Sequence, residues 1–114
     1  MTWLRLSLTG LVLSVSLSSA ALAGNGNHLI YWCGTRATDE FFRMGLCLGY
    51  VKGVADHATN AGQLCIPDSV TDWQRVDVVK MYLDRHPARL SHDANRLVMD
   101  ALANEFSCYT AKRR

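Results

Sequence analysis

Four cysteines and four histidines carry most of the chemical potential of this 114-residue chain. Cys33, Cys47, Cys65 and Cys108 could cross-link, hold a soft metal or supply a thiolate. His28, His57, His86 and His92 could ligate metal or move protons. Their spacing opposes most of these roles. No C-x-x-C occurs, which argues against a thioredoxin-like redox pair and c-type haem attachment. No two histidines form an H-x-x-x-H or H-E-x-x-H pair. Asp56 and His57 adjoin, but no nucleophile stands beside them, and Asp56 is expected to bond a loop backbone. His86, preceding Pro87, occupies a capping or packing position. A catalytic Cys–His pair needs an unpaired cysteine, and the even count opposes one. No glycine-rich phosphate loop or serine elbow is present. The expectation is a protein that is not an enzyme and has no cofactor and no metal.

The compartment decides what the thiols become. Residues 1–23 read as a cleaved secretory signal: Arg5 gives a positive start, Leu6 to Ala20 is apolar, and Ala21-Leu22-Ala23 has the small-x-small pattern of a cleavage site. The apolar run is short, serine-rich and lacks a basic stop-transfer flank. No other stretch is apolar enough to span a bilayer. In an oxidising compartment four cysteines in a small domain predict two disulfides, each worth about 2–4 kcal/mol. Three pairings are possible, and at this level the sequence does not choose. A zinc site would need thiolates that oxidation removes.

Residues 24–114 are expected to form one small domain with a limited core. The full chain carries 12 Lys+Arg against 10 Asp+Glu, and losing Arg5 brings the charges nearly into balance. That balance argues against nucleic acid as a partner. Lys112-Arg113-Arg114, the one basic cluster, reads as a solvated terminus.

The elements that position the cysteines are helical. The central stretch, Phe41 to Ala58, has two faces at roughly 100° per residue. Phe41, Met44, Leu48, Val51 and Ala55 form an apolar stripe edged by Cys47 and Val54. Gly45, Gly49 and Gly53 line up on nearly the opposite side. Three mid-helix glycines cost about 3 kcal/mol relative to alanine, so something is expected to pack closely against that bare backbone. They read as a packing device rather than a cofactor cradle.

Before this helix, Gly24 to Asn27 reads as a flexible start. His28 to Cys33 reads as a turn or two of helix or a strand fragment. Thr38, followed by Asp39 and Glu40, predicts an N-cap. The long helix ends in Asn60 to Gly62, and Cys65-Ile66-Pro67 marks a pinned loop. Thr71 with Gln74 predicts a capping box opening a helix that buries Trp73, Val76, Val79 and Leu83 and stops at His86-Pro87. A last helix is expected from about Ser91 to Phe106. No stretch alternates with period two over strand length. The fold class is all-α: a disulfide-bridged bundle of three main helices plus a short N-terminal segment.

These residues resemble a known family. The pattern Cys47-Leu-Gly49-Tyr50-Val51-x-Gly53-Val54-x-Asp56, then Cys65-Ile66-Pro67 and Val70-Thr71-x-x-Gln74, is similar to the Rap/Tai immunity proteins. Val78-Val79-x-x-Tyr82-Leu83-x-x-His86-Pro87-x-x-Leu90, Ala94-x-x-Leu97-Val98-x-x-Ala101-Leu102 and Phe106-x-Cys108 continue it. Ser107 departs from the frequent Phe-Pro-Cys ending, and Leu90-Ser91-His92 from the usual Leu-His. The resemblance implies a small, periplasmic, all-helical, often dimeric protein of Gram-negative bacteria. It also implies a partner: a peptidoglycan-cleaving amidase effector of the type VI secretion system. The quoted residues are caps, glycines and core positions, so none is carried over as inhibitory.

An up-down-up arrangement of three helices would bring Cys108 towards Cys65 and leave Cys33 for Cys47. No membrane contact is expected after signal cleavage. A competing reading keeps the scaffold but makes it a periplasmic stress-related binding protein or acid chaperone.

Overall fold

A computed structural model describes residues 24–34 and 40–109. The leader 1–23, the Thr38-Asp39 cap and the basic tail Lys112 to Arg114 lie outside the described residues. Within them the order is α1 (Gly26–Cys33), α2 (Phe41–Asn60), α3 (Asp72–Arg85), a 3-10 turn (Pro87–Arg89) and α4 (Ala94–Phe106). The class is all-α, with four helices rather than three, because the HLIYWC segment forms a helix of its own.

Helix α1 exists because both its ends are fixed. Asn25 caps it, its side chain accepting from the Asn27 and His28 backbones while His28 reaches back to the Asn25 backbone. Cys33 anchors the other end. The start of the domain is therefore ordered, contrary to the expected flexible lead. Gly26 N–H donates to the His92 carbonyl at 3.2 Å, Asn27 N–H to Leu90 at 3.3 Å, and Ala94 N–H to Gly24 at 2.8 Å. Gly26 is buried there for want of space. A Cβ on it would stand 2.7 Å from Leu97 Cδ1 and 2.8 Å from both the Leu90 Cα and carbonyl oxygen. The same contacts engage residues 90–93, so α4 begins at Ala94 rather than Ser91.

Helix α2 packs against α1, α3 and α4. It buries Cys47, Val51, Ala55 and Ala58; of the stripe expected from its period, Met44 and Leu48 are only partly buried and Phe41 points outward at 72 % exposure. At its end Gly62 takes φ +74°, the left-handed conformation that glycine adopts without strain. This reversal lets Gln63 N–H return to the Ala58 carbonyl at 2.8 Å. Helix α3 opens on the Thr71–Gln74 capping box, with reciprocal bonds of 3.1 and 2.7 Å. Its Val76, Val79, Tyr82 and Leu83 meet Leu97, Val98, Ala101 and Leu102 of α4 in one apolar cluster.

Two disulfides close the fold. Cys33 joins Cys47 with Cα atoms 5.1 Å apart, and Cys65 joins Cys108 at 4.8 Å. By unfolded-chain entropy, bridges over separations of 14 and 43 residues are worth about 3 and about 4 kcal/mol. No free cysteine remains among the described residues.

One ion-pair network links α2 to α3. Asp56 pairs with Lys52 one turn earlier at 3.0 Å and with Arg75 across the helices at 3.4 Å. Asp72 adds 3.4 Å to the same guanidinium. Asp56 thus braces two helices rather than bonding a loop backbone. The hydrogen bond and charge of Lys52 chiefly, and to a lesser extent the charge of Arg75, hold its carboxyl below the ordinary 3.8.

Two predictions follow from these contacts. Gly26→Ala should lower Tm by about 5 °C or more in thermal unfolding, since overpacking costs about 1–3 kcal/mol; an unchanged Tm would show that Leu90 and Leu97 yield freely. Asp56→Asn should also lower Tm at pH 7. A depressed carboxyl stabilises the fold while ionised, so that contribution is present above pH 3.8 and is lost as pH falls through the lower folded value. Wild type and variant should therefore converge in Tm below that pH, and a gap that persists there would rule out the ion pair as its source.

Candidate functional site

The outer face of α2 exposes apolar side chains beside bare backbone. Gly45, Gly49 and Gly53 share it with Phe42 and Leu46, opposite the buried stripe. Phe42 is 78 % exposed and Leu46 37 %. Among the described residues nothing stands within 4 Å of a Cβ built on any of the three glycines. Close packing against this backbone is therefore absent among the described residues. A helical wheel centred on the glycines, rather than on the core stripe, would have placed Phe42 and Leu46 beside them.

This face runs into an open groove of about 370 Å³ lined by Gly53, Val54, His57, Gln63, Asn95 and Met99. Its floor is apolar and its rim carries two neutral amides. The groove ends beside the loop from Asn60 to Ser69. That loop is anchored by Leu64 and Ile66, which are buried, while Cys65 between them is exposed. Cys65 N–H donates to the Phe106 carbonyl at 2.8 Å, and Val70 N–H closes the turn on Pro67 at 3.0 Å.

The turn from His86 to Asp93 is held at the opposite end of α3. His86 stacks on Tyr82 at 4.1 Å and its Nδ1 lies 2.8 Å from the Tyr82 carbonyl, a capping and packing role. Arg89 donates to the Tyr82 hydroxyl and stands 3.8 Å from Asp100. Burial first, then the Asp93 charge, pushes the Tyr50 hydroxyl up from its usual range; Tyr50 packs against Trp32 at 5.7 Å. Both loops are thus polar segments tethered at each end.

The structure does not bring the four histidines together. His28 caps α1, His57 rims the groove, His86 closes α3 and His92 is exposed. Among the described residues, no three of His, Cys, Asp and Glu are placed to hold a metal. A smaller cleft of about 250 Å³, lined by Ile30, Cys33, Gly34, Lys80, Leu83 and Asp84, lies beside the first disulfide. No described helix is long and apolar enough to cross a membrane. What the arrangement offers is a braced surface of bare helix, groove and two tied loops, suited to binding another protein.

Comparison with known proteins agrees with that assignment. No curated protein and no solved structure matches the chain significantly. One family profile does, described as Rap1a immunity proteins, over residues 25–108. The matched span runs from the Asn25 cap to the last cysteine and takes in all four helices and both bridges. The chain belongs to the Rap1a family of immunity proteins.

Proposed function

We propose that this protein is exported to the periplasm and there binds and sterically blocks a peptidoglycan-cleaving amidase delivered by a type VI secretion system. The observation that carries the reading is the family match over residues 25–108. Compartment logic supports it: a toxin acting on the cell wall must be met where the wall is, so the leader belongs to the mechanism. The scaffold supports it too. An amidase acting on wall peptide has an extended groove, and a loop pinned at both ends loses little entropy on entering it. The loop Asn60 to Ser69 and the turn His86 to Asp93 are the elements offered. Inhibition is by occlusion, and no bond is made or broken.

The same reading includes a homodimer through the outer face of α2. Crossing two copies antiparallel at Gly49 sets Gly45 of each against Gly53 of the other, a self-complementary arrangement. Phe42 then lies about 10 Å along the helix from the axis, at 1.5 Å per residue, beside the groove formed by Gly53, Val54, His57 and Met99. Bare backbone lets the helices approach closely, and the exposed phenylalanine gains a cover.

Two experiments test these statements. Co-expression with a periplasm-directed amidase from the same genome should let cells survive, and deleting residues 2–23 should abolish that protection. Equal lysis with and without the protein, together with no binding between purified components, would refute the immunity reading and favour the chaperone. For the dimer, Gly49→Leu should convert a sedimenting dimer to a monomer. Because leucine is the better helix former by roughly 1 kcal/mol, the monomer's helical content should not fall. A variant that still sediments as a dimer would locate the interface elsewhere.

A further inference from the structure

The two disulfides occupy opposite environments. Cys33 is 4 % and Cys47 1 % exposed, so that bridge is buried where the end of α1 meets α2. Cys65 is exposed and Cys108 only half-buried. Thiol–disulfide exchange requires a thiolate to approach one sulfur along the S–S axis, so access governs which bridge reacts. The chain around the outer bridge has attachments of its own. Leu64 and Ile66, on either side of Cys65, are 2 % and 9 % exposed, and the 2.8 Å bond from Cys65 N–H to the Phe106 carbonyl joins loop to helix without the sulfurs. Cys108 Sγ lies 3.7 Å from the Gly62 carbonyl oxygen, so the thiol formed on reduction has an acceptor in place.

We propose that Cys65–Cys108 is a redox-responsive clasp, opened by a dithiol reductant while Cys33–Cys47 stays closed and the helices stay packed. In the reaction one thiolate of the reductant attacks a clasp sulfur and the S–S bond breaks. The second reductant thiol then displaces the mixed disulfide. The reductant leaves as its cyclic or intramolecular disulfide, having given up two electrons and two protons, and Cys65 and Cys108 become thiols. Opening removes the covalent hold on the end of the chain beyond Phe106 and on the Asn60 to Ser69 loop. The protein then stays folded but with a looser surface whenever the compartment turns reducing. This holds whichever partner the protein binds.

The test is a titration of the exported, fully bridged protein with graded dithiothreitol, followed by alkylation and peptide mapping, with circular dichroism recorded at each step. Cys65 and Cys108 should become alkylated at a reductant concentration at least tenfold below that needed for Cys33 and Cys47. The helical signal should be retained at that step. Bridges that open together, an inner bridge that opens first, or helix lost with the outer one would each overturn the proposal. The double variant Cys65→Ser, Cys108→Ser gives an independent check: it should keep its helical signal and its inner bridge, and a variant that fails to fold would show that the clasp is structural.

Discussion

Everything in this fold depends on an interior built from apolar side chains. The described core consists of apolar residues only, many of them small: Ala55, Ala58, Ala94 and Ala101 stand among valines and leucines. Small residues let four short helices approach one another, but each buries little area, and burial is worth only about 25 cal/mol per Å². A chain of this size has little interior to spare. The links that complete the fold therefore sit towards the rim, although the Arg75 guanidinium among them is largely buried, its side chain only 15 % exposed. The Asp56–Arg75 brace, the Asn25 cap, the pairing of residues 24–27 with 90–94 and the exposed Cys65–Cys108 bridge are all of this kind.

That division explains which features were legible in the sequence. Local chemistry was readable: Thr71 with Gln74 forms a capping box because a hydroxyl and an amide three residues apart satisfy each other's backbone partners. Pro87 stops α3 and Gly62 turns the chain after α2 for equally local reasons. Features set by distant contact were not. Gly26 looked like slack because its constraint comes from Leu90 and Leu97, more than sixty positions away. Residues 90–93 carried helical period yet are drawn out of α4 by hydrogen bonds from the N-terminal segment. A sequence pattern records the side chain's preference but not the competing partner.

The outer face of α2 shows the same limit from the other side. Phe41 fits the apolar stripe by period, but at the first position of the helix it is left 72 % exposed. The glycines form a face set apart from the core, and nothing among the described residues covers it. Three helix-weakening residues in register, with nothing of the described chain against them and an exposed phenylalanine at one end, are costly to keep on a free surface. That cost is an argument about binding rather than folding. It separates the scaffold residues, which identify the family, from the surface that meets a partner.

A rigid surface matters because association itself costs translational and rotational freedom before any contact is formed. A loop that must also be ordered on binding adds to that cost residue by residue. Here Leu64 and Ile66 are already seated, Pro67 is already turned and Gly62 already reversed, so little of the loop between α2 and α3 is left to be ordered. The bridge at Cys65 adds to this by confining the loop from outside, while the buried leucine and isoleucine confine it from within. The two restraints overlap, which is why one of them can be chemically reversible. With the clasp open, the loop loosens while the domain stays folded, so the chain's surface can respond to its surroundings while its core does not.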